Sequence, residues 1–338
     1  MPRAVRTDIV QPDGRHVYLY GDFEPAPSTY RAPAMPNGVY QRRWNPLRRE
    51  WVLVAASRQT RTFLPERADC PLCPSRPDHS SEIPAARFQA AVFENRFPAM
   101  VPWPPSGGLC EVAVYTDEHD GSFATLPPER LDRLAEVWTD RYRELTARRG
   151  IKYVFIFENR GEQVGVTLHH PHGQIYAYPF VPPVAATELG RHAGGCLQCR
   201  LIADELTARR RVLINEGGIV AYVPESARWP YEVHVAIRAH RPALPDVAPA
   251  GRRALLAAMQ RVTRAYDRLF EVPMPYMMSM HQSPAEVSAQ SHLHVEFYPI
   301  LRDRGKLKYL AGSETGAGVF INDTLAEESA DRLRGLLE

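Results

Sequence analysis

Lysine is nearly missing from this chain: of its 41 basic residues, all but Lys152, Lys306 and Lys308 are arginine. Acidic residues number 39, so the formal net charge is only +2, and the basic side chains are scattered rather than gathered into a stripe. A nucleic acid is therefore not an expected partner. No apolar run is long enough to span a bilayer, and the N-terminus lacks a basic-then-apolar leader, so no membrane partner is expected and a cytoplasmic location is the default. Cysteine is sparse at five residues. Cys110 stands alone ahead of a strand-like run and reads as a packing residue. The other four form two Cys-x-x-Cys pairs, Cys70/Cys73 and Cys196/Cys199. In a reducing compartment such pairs serve as metal ligands or redox centres more often than as disulfides.

What is present is enough apolar residue, 44% over 338 positions, to bury a substantial core in one large or two moderate domains. Residues 1–40, with Pro25, Pro27, Pro33 and Pro36, read as an irregular N-terminal arm. Beyond it the order of elements occurs twice, over 41–185 and 186–338. In the first copy Cys70-x-x-Cys73 precedes strand-like 90–93 and 111–115, then His119. A helix follows from about Pro128 to Arg149, with Leu131, Leu134, Val137, Trp138 and Leu145 at helical spacing. Strands at 153–157 and 173–180 close the copy. The second copy runs from Cys196-x-x-Cys199 through strands at 212–214, 219–222 and 232–237 to His240. A helix from about Pro249 to Phe270 and strands at 276–280 and 292–298 complete it. The separation His119–His170 is 51 residues and His240–His292 is 52. This pattern predicts an α+β protein: an antiparallel sheet or half-barrel continuous through both copies, with helices packed outside.

Chemistry concentrates in Thr167-Leu168-His169-His170-Pro171-His172-Gly173-Gln174. Side chains alternate faces along a strand, so His170, His172 and Gln174 share one face. One histidine can be held by a metal while its neighbour stays free as a nucleophile. The run resembles the active-site signature of the galactose-1-phosphate uridylyltransferase family, the His-Pro-His nucleotidyltransferase branch of the histidine-triad superfamily. The resemblance extends over about residues 41–315 and implies a duplicated histidine-triad-like fold, catalytic in copy one. It assigns the covalent nucleotidyl group to His172, oriented by a backbone carbonyl of its own motif. Gln174 would donate an uncharged hydrogen bond to the phosphoryl group.

Zinc favours four tetrahedral Cys and His ligands. Copy one offers Cys70, Cys73, His119 and His170, the set that relatives with this Cys pair use. Copy two offers Cys196, Cys199, His240 and His292 at matching spacing, so two Zn2+ per chain are expected. Other relatives place a metal on one glutamate and three histidines. Those positions here are Glu188, His281, His294 and Glu296, with Glu296 standing for a histidine, and the Cys2His2 set is favoured over them. In copy two the motif becomes His292-Leu293-His294-Val295-Glu296. A carboxylate in place of the glutamine amide would repel phosphate, so copy two is expected to be non-catalytic.

Further positions follow from the resemblance. Arg58 and Arg61 fall on phosphate-binding arginines. Asn95, in Phe93-Glu94-Asn95-Arg96-Phe97, falls in the base and ribose segment, with Arg96 where the family often has an acid. Asn159, in Phe157-Glu158-Asn159-Arg160-Gly161, and Thr167, replacing a serine, are expected beside the α-phosphate. Lys308 and Glu314 match the sugar-phosphate segment, with Ser313 in place of a tyrosine. That segment reaches a neighbouring subunit's site in the family, which implies a homodimer. The expected reaction moves UMP from UDP-glucose to galactose 1-phosphate. The alternatives are a related phosphorylase acting on ADP-glucose or a dinucleoside polyphosphate, a zinc-stabilised binding protein without catalysis, or a thioredoxin-like redox role for the Cys pairs.

Overall fold

The computed structural model describes residues 5–191, 195–286 and 291–337. Its strands are β1 (Arg6–Val10), β2 (His16–Pro25), β3 (Tyr40–Asn45), β4 (Glu50–Ala55), β5 (Ala85–Glu94), β6 (Leu109–Val114), β7 (Tyr153–Arg160) and β8 (His172–Tyr178). The second half adds β9 (Val212–Glu216), β10 (Ile219–Tyr222), β11 (Val233–Ile237), β12 (Tyr276–His281), β13 (His294–Pro299), β14 (Leu301–Asp303) and β15 (Lys306–Leu307). The helices are α1 (Pro128–Thr146), α2 (Pro183–Gly190), α3 (Leu197–Ala208), α4 (Pro249–Leu269) and α5 (Ala326–Arg334).

Eleven strands form one antiparallel sheet in the order β1-β2-β5-β6-β8-β7-β12-β13-β11-β10-β9. The duplication is visible in that order. Reading outward from the central β7–β12 pair, β8, β6 and β5 on one side mirror β13, β11 and β10 on the other. The join is a regular ladder in which Tyr276 faces Arg160 and Met278 faces Glu158. The α+β class, the antiparallel sheet continuous through both copies and the two long crossover helices are as the sequence predicts.

Alternation sorts the strand residues onto two faces. Val154, Ile156, Ile175, Ala177, Val233, Val235, Met278, Met280, Val295 and Phe297 face α1 and α4 in the large apolar core. Both helices start with proline at the first helical position, where its missing N–H has no intrahelical partner to lose. Their apolar stripes, including Leu134 and Trp138 on α1 and Leu256 and Met259 on α4, are buried against the sheet and each other. The opposite face carries smaller clusters, one around Leu72, Phe93 and Val114 and one around Ile202 of α3. That face holds the chemistry. A buried ion pair, Arg141 Nη2 to Glu111 Oε1 at 2.6 Å, locks α1 to β6 with both side chains fully enclosed.

The expectation of an irregular arm over residues 1–40 is corrected. The run Val17-Tyr18-Leu19-Tyr20 is aromatic and aliphatic and wholly buried, and β2 pairs with β5 while β1 extends the edge. Among the described residues of this segment, the long irregular stretch is 26–39. The β3–β4 hairpin stands outside the main sheet. Among the described residues, no helix is long and apolar enough to cross a membrane.

Candidate active site and metal centres

β8 begins at His172, opposite Val114 of β6. Because Ile175 and Ala177 face the helices, His172 and Gln174 face the other way. The His172 Nδ1 lies 2.7 Å from the carbonyl oxygen of His170, two residues back and just ahead of the strand. A ring nitrogen facing a carbonyl carries the proton, which leaves Nε2 as the lone-pair nitrogen. Burial holds the imidazole below its ordinary pKa, favouring the neutral form that a nucleophile needs.

Two clefts meet at His172. One, of about 100 Å³, is lined by Arg58, Arg61, Asn95, Thr167 and Gln174 together with Glu82 and Arg96. The other, of about 270 Å³, is lined by Asn159, Arg160, His169 and His170 and by Pro273 and Met274 from the second repeat. Arg58 is aimed by a hydrogen bond from Nη1 to the Phe97 carbonyl at 2.8 Å. Asn95 turns its Oδ1 to the Phe97 N–H at 2.8 Å, which shapes the loop after β5. The carbonyl of Thr167 accepts from Leu64 N–H at 2.9 Å, tying the motif to the arginine-bearing segment. Guanidinium groups thus line a cleft together with an imidazole whose burial favours the neutral form.

Lys308 and Glu314 line neither cleft. Their side chains pair at 2.6 Å. That bond, with backbone N–H groups of Ala311 and Ile321, pulls the Glu314 carboxyl down to about 2.

The first Cys2His2 set assembles: ligand atoms of Cys70, Cys73, His119 and His170 lie within 4.8 Å of one another. Cys73 Sγ is 3.3 Å from His119 Nδ1 and 3.6 Å from His170 Nδ1. His170 Nε2 is 2.8 Å from the Thr116 carbonyl, which fixes the tautomer so that Nδ1 offers its lone pair to the thiols. The second set repeats this arrangement. Cys196, Cys199, His240 and His292 also converge within 4.8 Å, and His292 Nε2 meets the Ile237 carbonyl at 2.7 Å. Donor chemistry and tautomers fit a tetrahedral thiophilic ion in both. Cys110 is enclosed and its thiol is pushed up to about 12 by burial, in keeping with a packing role.

One expectation needs correction. Glu188, His281, His294 and Glu296 stood as a rival to Cys196, Cys199, His240 and His292, yet both groups assemble, as separate clusters. The reason is position along the chain: His292 lies ahead of β13, where it turns to the cysteines, whereas His294 and Glu296 point from β13 itself toward α2 and β12. His281 Nδ1 lies 3.3 Å from Glu188 Oε1 and is buried without a hydrogen bond. Two donors that close but unaligned fit a cation between them. The ladders show what this group corresponds to. Phe157 faces Gln174 in copy one and Ser279 faces Glu296 in copy two. Hence His294, Glu296 and His281 occupy the places of His172, Gln174 and Asn159. His294 Nδ1 even meets its own motif carbonyl, that of His292, at 2.8 Å. The positions held by His172, Gln174 and Asn159 in one repeat form a candidate metal site in the other.

Several residues at these sites escape a reading of motifs. His234 faces Glu296 across β11–β13, with Nε2 2.9 Å from Glu232 and 3.4 Å from Glu296. Glu82 pairs with buried Arg15 at 2.7 Å and with Arg96 at 3.2 Å in the first cleft. Glu158 lies buried between Tyr115 and Tyr276. Only Glu158 leaves a sequence signal, as a charged residue where alternation calls for an apolar one.

Comparison with known proteins agrees with this geometry. The family models "Galactose-1-phosphate uridyl transferase, N-terminal domain" and "C-terminal domain" match residues 101–182 and 187–338. A galactose-1-phosphate uridylyltransferase of Thermotoga maritima is 38% identical over 315 residues, covering 86% of this chain and 97% of the relative. That of Streptomyces lividans is 37% identical over 300 residues, covering 82% and 81%. A solved uridylyltransferase superposes with a TM-score of 0.79 at 32% identity, over 88% of this chain and 98% of its own. An Arabidopsis thaliana ADP-glucose phosphorylase with bound ADP-glucose shares the fold, with a TM-score of 0.68 at 21% identity over 88% and 99%. With relatives this similar over most of its length and with its arginine-lined cleft and duplicated sheet in place, the chain belongs to the galactose-1-phosphate uridylyltransferase family.

Proposed function

We propose that this enzyme transfers UMP from UDP-glucose to galactose 1-phosphate through a covalent uridylyl-His172 intermediate. The observation that carries this reading is the His172 Nδ1 contact with the His170 carbonyl, which leaves Nε2 toward the arginine-lined cleft. Nε2 attacks the α-phosphorus of UDP-glucose, the N–P bond forms, and the bond to the bridging oxygen breaks to release glucose 1-phosphate. A phosphate oxygen of galactose 1-phosphate then attacks phosphorus, the N–P bond breaks, and UDP-galactose leaves with neutral His172 regenerated. Through both steps the proton stays on Nδ1, donated to the His170 carbonyl, which supports positive charge on the ring. Arg58 and Arg61 neutralise phosphate oxygens bidentately. Gln174, Asn159 and Thr167 donate uncharged hydrogen bonds around the α-phosphate, and Asn95 meets the base or ribose.

Both Cys2His2 clusters hold zinc in this reading, and the Glu188, His281, His294 and Glu296 cluster holds a further divalent cation. Bound zinc would fix the ends of the two His-x-His strands and take no part in group transfer. The active form is a cytoplasmic homodimer in which Lys308 and Glu314 serve the partner's sugar phosphate. Exposed Trp44, Leu47 and Trp51 on the β3–β4 hairpin support an interface.

Arg96, held on Glu82 where the family often has an acid, favours a second reading: the same attack by His172 on ADP-glucose or a dinucleoside polyphosphate, with inorganic phosphate as acceptor. Incubation with α-phosphate-labelled UDP-glucose or ADP-glucose tests both. Acid-labile, alkali-stable label on protein from UDP-glucose, absent in His172→Ala, is the expected result. Label from ADP-glucose alone would replace the first reading by the second, and an active His172→Ala protein would overturn both.

A further inference from the structure

Along β7, Val154, Ile156 and Glu158 face the helix-covered core, and the first two are apolar as that environment demands. Glu158 breaks the pattern. It is 5% exposed, and a carboxyl taken from water costs several kcal/mol unless it is well partnered. Its partners are two buried tyrosines: Tyr115 donates to Oε2 at 3.0 Å and Tyr276 to Oε1 at 2.8 Å.

Each partner leads to the nucleophile's surroundings. Tyr115 follows Val114, the residue paired with His172, and its N–H donates to the Pro171 carbonyl at 3.1 Å. Its ring lies directly behind Gly173, where any Cβ would collide with the hydroxyl. Tyr115 therefore grips both residues flanking His172, one through its backbone and one through its side chain. Tyr276 opens β12 of the second repeat, opposite Arg160. Glu158 itself immediately precedes Asn159.

The second repeat supplies an internal control. By the ladder correspondence above, the counterparts of Glu158, Tyr115 and Gly173 are Met280, Ile237 and Val295, all buried and apolar. The same backbone ladder folds there without a polar group at any of the three positions. The fold therefore does not require the buried carboxyl, which stands only in the repeat that carries His172.

We propose that Glu158 is a positioning residue for uridylyl transfer: by holding Tyr115 behind Gly173 and Tyr276 of the second repeat, it fixes the Pro171–His172–Gly173 backbone relative to Asn159. It borders the cleft beside Asn159 with little exposure, and in this proposal it acts through the tyrosines. The inference rests on His172 being the nucleophile.

The test is a triple variant, Glu158→Met with Tyr115→Phe and Tyr276→Phe, which copies the apolar character of the other repeat and strands no hydroxyl. Replacing a whole buried polar group by apolar side chains tends to be neutral for stability. The first-order rate of protein labelling from α-phosphate-labelled UDP-glucose should fall on the order of 10- to 100-fold, the cost of a slightly misplaced reacting group. The unfolding midpoint should stay near that of the parent and KM for UDP-glucose within about threefold. Glu158→Gln, which keeps both tyrosines bonded, should restore most of the rate. Parental labelling by the stable triple variant, or a defect confined to KM, overturns the proposal. Tyr276→Phe alone is measured beside it and should show a smaller loss of the same kind; a parental rate there also overturns it, whatever the triple variant's stability. His172→Ala run in parallel separates the two levels: label on that protein refutes the nucleophile, whereas its absence beside a normal triple variant refutes only the role of Glu158.

Discussion

Replacing Gly173 by alanine adds one methyl group to the centre of the His-Pro-His-Gly-Gln strand, and the structure states what it meets. The new Cβ would fall inside contact distance of the Tyr115 hydroxyl, 3.1 Å from its Cζ and 3.0 Å from the backbone oxygen of Phe157. Tyr115 cannot swing away easily, since its ring packs edge-on against Phe123 and Trp138 at 6.3 and 6.2 Å. Forcing a methyl into such a core costs about 1–3 kcal/mol. Loosening the bond from Tyr115 to the Glu158 carboxyl adds about 1.5–3 kcal/mol if it is lost outright. Gly173→Ala should therefore destabilise by about 2–5 kcal/mol in denaturant unfolding. Tyr115→Phe removes the obstructing oxygen and by itself gives up only the hydrogen bond. In the double variant the clash and the bond are not lost twice, so the two changes should be less than additive by about 1.5 kcal/mol or more. Additivity within about 0.5 kcal/mol would show that the hydroxyl is not what excludes a side chain at position 173, and the reasoning would fail.

Burial pushes the Glu158 carboxyl up to about 6. A raised carboxyl means that the folded state favours the proton, so its stabilising contribution is complete below the ordinary range near 4.5 and is lost as pH rises through 6. Unfolding free energies should accordingly move by about 2 kcal/mol in favour of Glu158→Gln over the parent between pH 4.5 and 7, and a pH-independent difference would refute the shift. Cys196→Ser with Cys199→Ser should lower zinc by about one equivalent per chain in elemental analysis and reduce stability, while uridylylation of His172 persists. Unchanged zinc content would remove the second Cys2His2 site. Mixing inactive His172→Ala chains with inactive Lys308→Ala chains should restore part of the activity, because one composite site in the mixed dimer is intact; no recovery after demonstrated subunit exchange would sink the shared site.

Much of the site was legible because its chemistry is local in sequence. The His170-Pro171-His172 run, the two Cys-x-x-Cys pairs and the repeated His spacings carry their meaning within short segments. The structure gathers Arg58, Arg61, Asn95, Thr167 and Gln174 on one cleft and Asn159 on the adjoining one, with both Cys2His2 sets assembled. Proline-rich flanks hid β1 and β2, since Pro25 and Pro27 outweighed the strand-like Val17-Tyr18-Leu19-Tyr20 between them and the N-terminus. Lys308 and Glu314 resemble family positions, yet in one chain they pair with each other away from His172.

The sequence by itself determined the α+β class, the repeated order of elements and which repeat carries the His-Pro-His-Gly-Gln motif, because strand alternation, helical periodicity and motif spacing are properties of short stretches. Only the tertiary structure decided how residues far apart in the chain share a site. It joined the repeats at β7–β12, and it set Tyr276 of one repeat against Glu158 of the other. It also separated Glu188, His281, His294 and Glu296 from the neighbouring Cys2His2 set, because His292 lies ahead of β13 while His294 and Glu296 lie on it. Pairings of this kind depend on which strands meet and in what register, and no local pattern in the chain encodes that.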